Sequence, residues 1–286
     1  MITDQLSLDF AGASEGMLPT TSCPLPSSSG ISSVVMFSSG ISSWAAAKRY
    51  AETHGTDGMV LLFADTGIED EDNYRFLHEA AENIGAPLTV IADGRTPRDV
   101  FADVRMIGNA RVDPCSKHLK RKLLDRWRNA NVPPDAAIIL GISWDEEHRI
   151  RKVRELCAPW NYIAPLCDKP WISKRDCIEW AKREGIEPPR MYAQGFAHAN
   201  CGGFCVKAGQ ATFRLLLAHY PERYAEHEKA EAELMEKLKG KWGVMRDRRG
   251  GTAKPMTMRQ FRERVEADEN AYDKTDLGGC GCALNL

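Results

Sequence analysis

Ser33-Val34-Val35-Met36-Phe37-Ser38-Ser39-Gly40-Ile41-Ser42-Ser43-Trp44-Ala45-Ala46-Ala47-Lys48-Arg49-Tyr50-Ala51 changes character twice. Its first five residues form an apolar, β-rich run, as expected of a strand covered on both faces. Ser38 to Ser43 are small and turn-forming, and Trp44 to Ala51 have strong helix propensity. A strand feeding a helix through small residues leaves backbone amides unpaired at the helix N-terminus, where the helix dipole favours an anion. The same six residues also read as an ordinary strand-to-helix turn with a serine cap.

Outward from this stretch the alternation repeats. Gly58 to Ala64 is a second buried strand, Asp70 to Ile84 a helix and Pro87 to Ile91 a third strand. Ser116 to Ala130 is a basic helix and Ala136 to Gly141 a fourth strand. Strands alternating with helices imply an α/β fold, a doubly wound parallel sheet built from right-handed crossovers. The second strand ends in Asp65-Thr66-Gly67, and in such sheets ligands bind beyond the carboxyl ends of the strands. A local Asx turn is the competing reading there.

Beyond Pro165-Leu166 the pattern is helical. Ser173 caps a helix to Arg183, and Ala208 to Lys239 forms a long helical stretch broken near Pro221. The expected organisation is an N-terminal arm over 1–30, an α/β domain over 31–207, and a helical, cysteine-bearing extension and tail over 208–286. The arm is rich in Ser, Pro, Gly and Thr, too polar to order itself.

With 286 residues, 43% hydrophobic and 27% charged, the composition is that of an ordinary soluble domain. The net charge of −2 offers no whole-protein attraction to nucleic acid or anionic membrane, so any polyanion site must be local. No apolar run reaches bilayer length and no signal-peptide pattern is visible, which makes the cytoplasm the expected compartment. In a reducing compartment nine cysteines call for metal ligation, redox chemistry or plain burial.

The order of motifs resembles the phosphoadenosine-phosphosulfate (PAPS) reductase branch of the PP-loop superfamily, with its HUP-like sheet. The residues carrying the resemblance are Ser38–Ser43, Asp65-Thr66-Gly67, Cys115 with Lys120 and Arg121, Gly141-Ile142-Ser143-Trp144-Asp145-Glu146-Glu147-His148-Arg149, and Pro165-Leu166, Trp171, Tyr192, Gly195-Phe196 and Cys201. They span about Ser33 to Gln210. The resemblance implies an adenine nucleotide, ATP or PAPS/APS, held by Ser38, Ser39, Gly40, Ser42, Ser43, Asp65, Thr66, Gly67, Lys120 and Arg121. Lys117 and Arg149 are the candidate catalytic cations and complete an anion pocket with Lys120 and Arg121, where Arg pairs bidentately and Lys acts as a point charge.

Two departures matter. Ser39 stands where the family has Gly, and Ser42 where ATP-splitting members carry Asp. The second weakens the case for Mg²⁺, which prefers hard oxygen ligands. Relatives that hold a [4Fe–4S] cluster imply Cys115, Cys201, Cys205 and a tail thiol, Cys280, as ligands. A structural role for Cys201 and Cys205 competes. Cys282 in the tail Cys280-Gly281-Cys282 is the candidate nucleophile, although the family's Glu and His around that cysteine are missing. Cys157, Cys167 and Cys177 read as packing residues. Three functions stay open: sulfonucleotide reduction with a thiol reductant protein, ATP-dependent thiolation of tRNA or DNA through the basic stretch 117–128, and a non-catalytic nucleotide-binding module. A homo-oligomer is compatible with all three.

Overall fold

The computed structural model describes residues 30–240, 243–249 and 251–279. The expected arm up to residue 29 and the tail thiols Cys280 and Cys282 lie outside the described residues. Five strands, β1 (Ser33–Met36), β2 (Met59–Asp65), β3 (Leu88–Ala92), β4 (Ala137–Ile139) and β5 (Asn161–Ile163), form one parallel sheet in the order β3-β2-β1-β4-β5. The order reverses between β1 and β4, so a crevice opens beyond their carboxyl ends.

Alternate strand residues face opposite sides of the sheet. Val35, Leu61 and Phe63 join one core with helices α1 (Ile41–His54) and α2 (Glu71–Ile84). Trp44 of α1 is fully buried there, and its indole N–H donates to Asn83 Oδ1 at 3.1 Å, so burial leaves no orphan donor. Val34, Val60 and Leu62 join the opposite core. The doubly wound α/β sheet expected from the sequence is the architecture observed.

Next along the chain come α3 (Pro97–Asp103), α4 (Pro114–Ser116), a π-helical turn (Lys117–Arg121) and α5 (Lys122–Asn131). The expected single helix from Ser116 is thus interrupted by the wider π turn, and this segment buries Leu119 and Lys120. Helix α6 (Glu147–Leu156) follows β4, and its Ile150 and Val153 pack with Leu123 and Leu124 of α5 in the second core. Helix α7 (Lys174–Arg183) starts at a Ser173–Asp176 capping box and covers the first core with Cys177 and Ala181.

The remaining elements are α8 (Arg190–Ala193), α9 (Gln210–His219), α10 (Pro221–Leu238), an antiparallel pair β6 (Met245–Asp247) and β7 (Lys254–Met256), and α11 (Met258–Ala267). The long helix expected from Ala208 breaks at Pro221, where the proline opens α10. A third core joins Phe213, Tyr224 and Phe261 of this region to Phe101, Phe196 and Phe204. The last described residues fold back on the turn before α9: Ala208 bridges Gly278, and Gly279 N donates to Lys207 O at 3.1 Å. A side chain on Gly209 would lie 2.0 Å from Asp276 O, so glycine permits this close approach. No helix among the described residues is long and apolar enough to cross a membrane.

Candidate functional site

The β1–α1 loop closes on itself. Ser43 Oγ donates to Gly40 O at 2.8 Å and accepts from Ser38 N at 3.2 Å. Gly40 is the N-cap of α1 and brings no side-chain cap. Of the first-turn amides, Ile41 N donates to Tyr192 Oη at 3.1 Å, while Ser43 N and Trp44 N turn back to Gly40 O. The amides of Gly40 and Ser42 take no acceptor among the described residues, which suits them to an anion at the positive end of the helix dipole.

Ser39 differs from its neighbours. Its φ of 54° lies in the left-handed region, and its side chain is buried, donating to Ser38 O and accepting from Asn73 Nδ2 at 2.8 Å. Glycine adopts this backbone without strain. Ser39 therefore shapes the loop from behind and does not line the cleft. Across the switch point Gly141 abuts the loop so closely that a Cβ there would lie 2.8 Å from Ser43 Cα.

Between these loops lies a cleft of about 390 Å³, within the usual range for small-molecule sites. Ser38, Gly40, Ser42 and Ser43 form one wall and Gly141 to Glu146 the other. Lys120, Arg149 and Lys174 supply positive charge. Arg149 donates to Glu146 Oε1 at 2.5 Å, and Lys174 donates to Ala197 O. His198 also lines the cleft; burial, with help from Lys174 and Arg149, lowers its pKa to about 4, so it is a neutral imidazole at neutral pH. At the rim Trp144 donates its indole N–H to Ile172 O and stacks on Trp171 with centroids 5.4 Å apart.

The turn after β2 takes a different role. Asp65 Oδ1 accepts from Gly67 N at 2.8 Å and Tyr74 Oη at 2.7 Å, the Asx turn that competed with ligand binding in the sequence. Thr66 is buried and donates to Glu69. Asp65, Thr66 and Gly67 are not among the residues lining the cleft.

Glu69 is the hub behind this turn. Its buried carboxylate takes Thr66 Oγ1, Lys120 Nζ at 3.4 Å, Asn73 Nδ2 and the Cys201 amide. Cys201 itself has a left-handed φ of 56°. Beside the hub a narrow cavity of about 20 Å³, room for one water, is lined by Thr66, Lys120, Cys115, Cys201 and Cys205. Lys120 thus lines both the cleft and the thiol cavity.

Three cysteines expected as cluster ligands therefore line one cavity, and their donor chemistry suits an iron–sulfur group. The space does not: one water fills it, and no group of three His, Cys, Asp or Glu side chains among the described residues is arranged to hold a metal ion. Cys280, the fourth expected ligand, lies outside the described residues. The chain reaches it from Gly279, which is bonded to Lys207 two residues after Cys205.

The other expected basic residues sit elsewhere. Arg121 is locked bidentately on Asp113 at 3.1 Å for each contact, and Lys117 is exposed outside the cleft. Arg128 is buried against Tyr162, Asp125 and the Trp160 ring. Lys120, Arg121 and Arg128 of the stretch 117–128 are therefore paired, while Lys117, Lys122 and Arg126 are exposed. Cys167 and Cys177 are packing residues, as read from sequence, with burial pushing both thiols up to about 11. Sequence reasoning passed over Lys174, Trp144's place at the rim and Glu69. Only Glu69, three residues after Thr66, left any local signal.

No family model and no curated protein matches the chain. Among solved structures, the chain is similar to the crystal structure of phosphoadenylyl-sulfate (PAPS) reductase from Candida auris in complex with phosphate. The likeness covers 58% of this chain and 78% of that chain at 14% sequence identity and a TM-score of 0.41.

Proposed function

We propose that the chain is an enzyme that binds an adenine nucleotide in the switch-point cleft and uses cysteine thiols for sulfur chemistry. The observation that carries this reading is the shared wall: Lys120 borders both the cleft and the cavity of Cys115, Cys201 and Cys205. The Gly40 and Ser42 amides and the α1 dipole hold a phosphate or sulfate, and Arg149 and Lys174 balance its remaining charge.

In its narrowest form the reaction reduces a sulfonucleotide. The Cys282 thiolate attacks the sulfate sulfur, the S–O bond to the adenosine phosphate breaks, and Cys282 carries the sulfonate. A thiolate of a reductant protein then attacks the Cys282 sulfur, releasing sulfite and leaving a mixed disulfide. Gly278 and Gly279, which lead towards this thiol, border a groove that shares Arg149 and His198 with the cleft, which supports tail access.

The [4Fe–4S] cluster expected on Cys115, Cys201, Cys205 and Cys280 is no part of this proposal, because the cavity that the first three line has room for one water only. ATP-dependent sulfur transfer is the second reading, favoured by Arg149, Lys152, Arg246 and Arg248, which line that groove beside the cleft. Ser42 in place of a carboxylate counts against tight Mg²⁺ binding in either form.

Anaerobic protein titrated with PAPS, APS and ATP tests the reading. Saturable binding that weakens on Arg149→Ala, with sulfite from a sulfonucleotide or pyrophosphate from ATP, supports it. Failure of all three to bind at millimolar concentration refutes it. Iron and sulfide analysis of the same sample decides the cluster.

A further inference from the structure

A pocket of about 740 Å³ lies between α3 and α10, larger than the cleft and lined by none of the same residues. Ile68, Pro97, Phe101, Phe204, Leu234 and Val244 give it apolar walls. Ile68, Pro97 and Phe204 also wall the thiol cavity, so one layer of side chains separates the pocket from Cys115, Cys201 and Cys205. The imidazole of His227 stacks on Phe204 with ring centroids 3.8 Å apart. Its nitrogens lie in the ring plane, where the phenyl face cannot satisfy them, and it makes no hydrogen bond with the described residues. Burial, with help from Arg223, lowers the His227 pKa to about 4, so at neutral pH the ring offers one donor and one acceptor. Glu231 also lines the pocket, but its two oxygens turn to Val244 N and Met258 N at 2.8 and 2.6 Å.

The rim selects against ions and against chains. Asp99 is occupied by the Thr96 cap, Arg98 of α3 pairs with Glu233 of α10, and the exposed Glu226 and Lys237 balance each other in sign. Among the described residues no set of like charges converges on the interior, in contrast to the cleft. Arg98 and Glu233 are both exposed, so their pair ties the two helix walls together at the outer edge, and a polypeptide laid along them would have to break it. Apolar walls, this size and one unsatisfied polar group are the usual form of a small-molecule site. We propose that the pocket binds an uncharged, carbon-rich small molecule through a hydrogen bond to His227. It is a second ligand site that borders the thiol cavity on its apolar side, as the cleft borders that cavity at Lys120. The inference stands independently of the nucleotide reading.

The test titrates the full chain with N-phenyl-1-naphthylamine, an uncharged fluorescent probe with a single N–H, and measures ATP binding in parallel. The expected result is a saturable rise in fluorescence. The same ring system carrying a sulfonate, 8-anilinonaphthalene-1-sulfonate, should bind on the order of tenfold more weakly, since the interior offers its charge no partner. His227→Leu keeps the walls apolar and should weaken the uncharged probe by about fivefold, the net worth of one hydrogen bond. Ala230→Trp and Ala102→Phe fill the pocket from opposite helices, and each should weaken the probe by at least about tenfold while ATP affinity stays unchanged. Two filling variants, each checked by thermal unfolding, keep the test open should one of them fail to fold. No saturable rise up to the probe's solubility, indifference to both filling variants, equal binding of the sulfonate, or undiminished binding by His227→Leu would overturn the inference. So would a dimer in light scattering that Ala230→Trp abolishes, because the pocket would then belong to a second copy of the chain. ATP binding without probe binding strikes the pocket alone, and the reverse strikes the nucleotide reading alone.

Discussion

Replacing Gly141 by alanine puts a methyl carbon 2.8 Å from Cα and N of Ser43 and 2.9 Å from the carbonyl carbon of Ser42. All three atoms are backbone, so no flexible side chain can swing aside. Ordinary contact begins near 3.4 Å, so the phosphate loop and the end of β4 must separate by about 0.6 Å. Overpacking of this kind costs about 1–3 kcal/mol, which for a chain of this size lowers the melting temperature by roughly 2–4 °C per kcal/mol. The displaced atoms belong to Ser43 and to Ser42, whose amide faces the cleft, so nucleotide affinity should fall by at least about tenfold, or ~1.4 kcal/mol. Thermal unfolding with and without nucleotide reads both effects: the apo midpoint drops, and the ligand-induced rise shrinks further. An alanine variant that melts and binds like the parent would refute the close approach of the two loops, and with it the switch-point site.

Lys120→Met leaves the Glu69 carboxylate buried without its cation and should destabilise the chain by about 3–5 kcal/mol. The double variant with Glu69→Gln should recover a large part of that in denaturant unfolding. A second pair of effects is read from pH. Burial raises the Glu231 carboxyl to about 7 despite hydrogen bonds from Val244 N and Met258 N. The folded state therefore holds a proton that the unfolded state loses from about pH 4.5, and stability contributed by this group declines up to about pH 7, by on the order of 3 kcal/mol. Burial lowers His198 and His227 to about 4, so the unfolded state binds the extra protons between about pH 4 and 6.5 and stability there rises with pH. Denaturant midpoints across pH 4–8 should rise more steeply between about pH 4.5 and 6.5 in Glu231→Leu than in the parent, and a fall from about pH 6.5 to 7 should appear in the parent alone.

Much of the sheet was legible because β1 and β2 are apolar on both faces and so read as continuous runs. The edge strand β5 was not, since three residues with one buried side chain, Tyr162, carry no period. Helix α6 was hidden for a related reason: only Ile150 and Val153 are buried in a helix otherwise made of charge. At the site, the loop and Gly141 could be read from local chemistry, because their constraint is backbone proximity next to a strand end. Lys174 could not, as nothing near Ser173 shows that α7 begins at the cleft. The basic stretch 117–128 looked like one solvated face because its partners, Glu69, Tyr162 and Trp160, are far away in sequence.

The pairing of Lys120 with Glu69 links these observations. A buried ion pair gains little stability over a well-packed apolar one, so the pair's position matters more than its energy. Glu69 also accepts the Cys201 amide and is tied through Asn73 to Ser39 behind the phosphate loop. An anion in the cleft would compete with Glu69 for the Lys120 ammonium, and a shift of that ammonium towards the cleft would carry it away from the cavity of Cys115, Cys201 and Cys205. Alkylation of these three cysteines should therefore respond to nucleotide in the parent and be indifferent to it in the Lys120→Met, Glu69→Gln double variant.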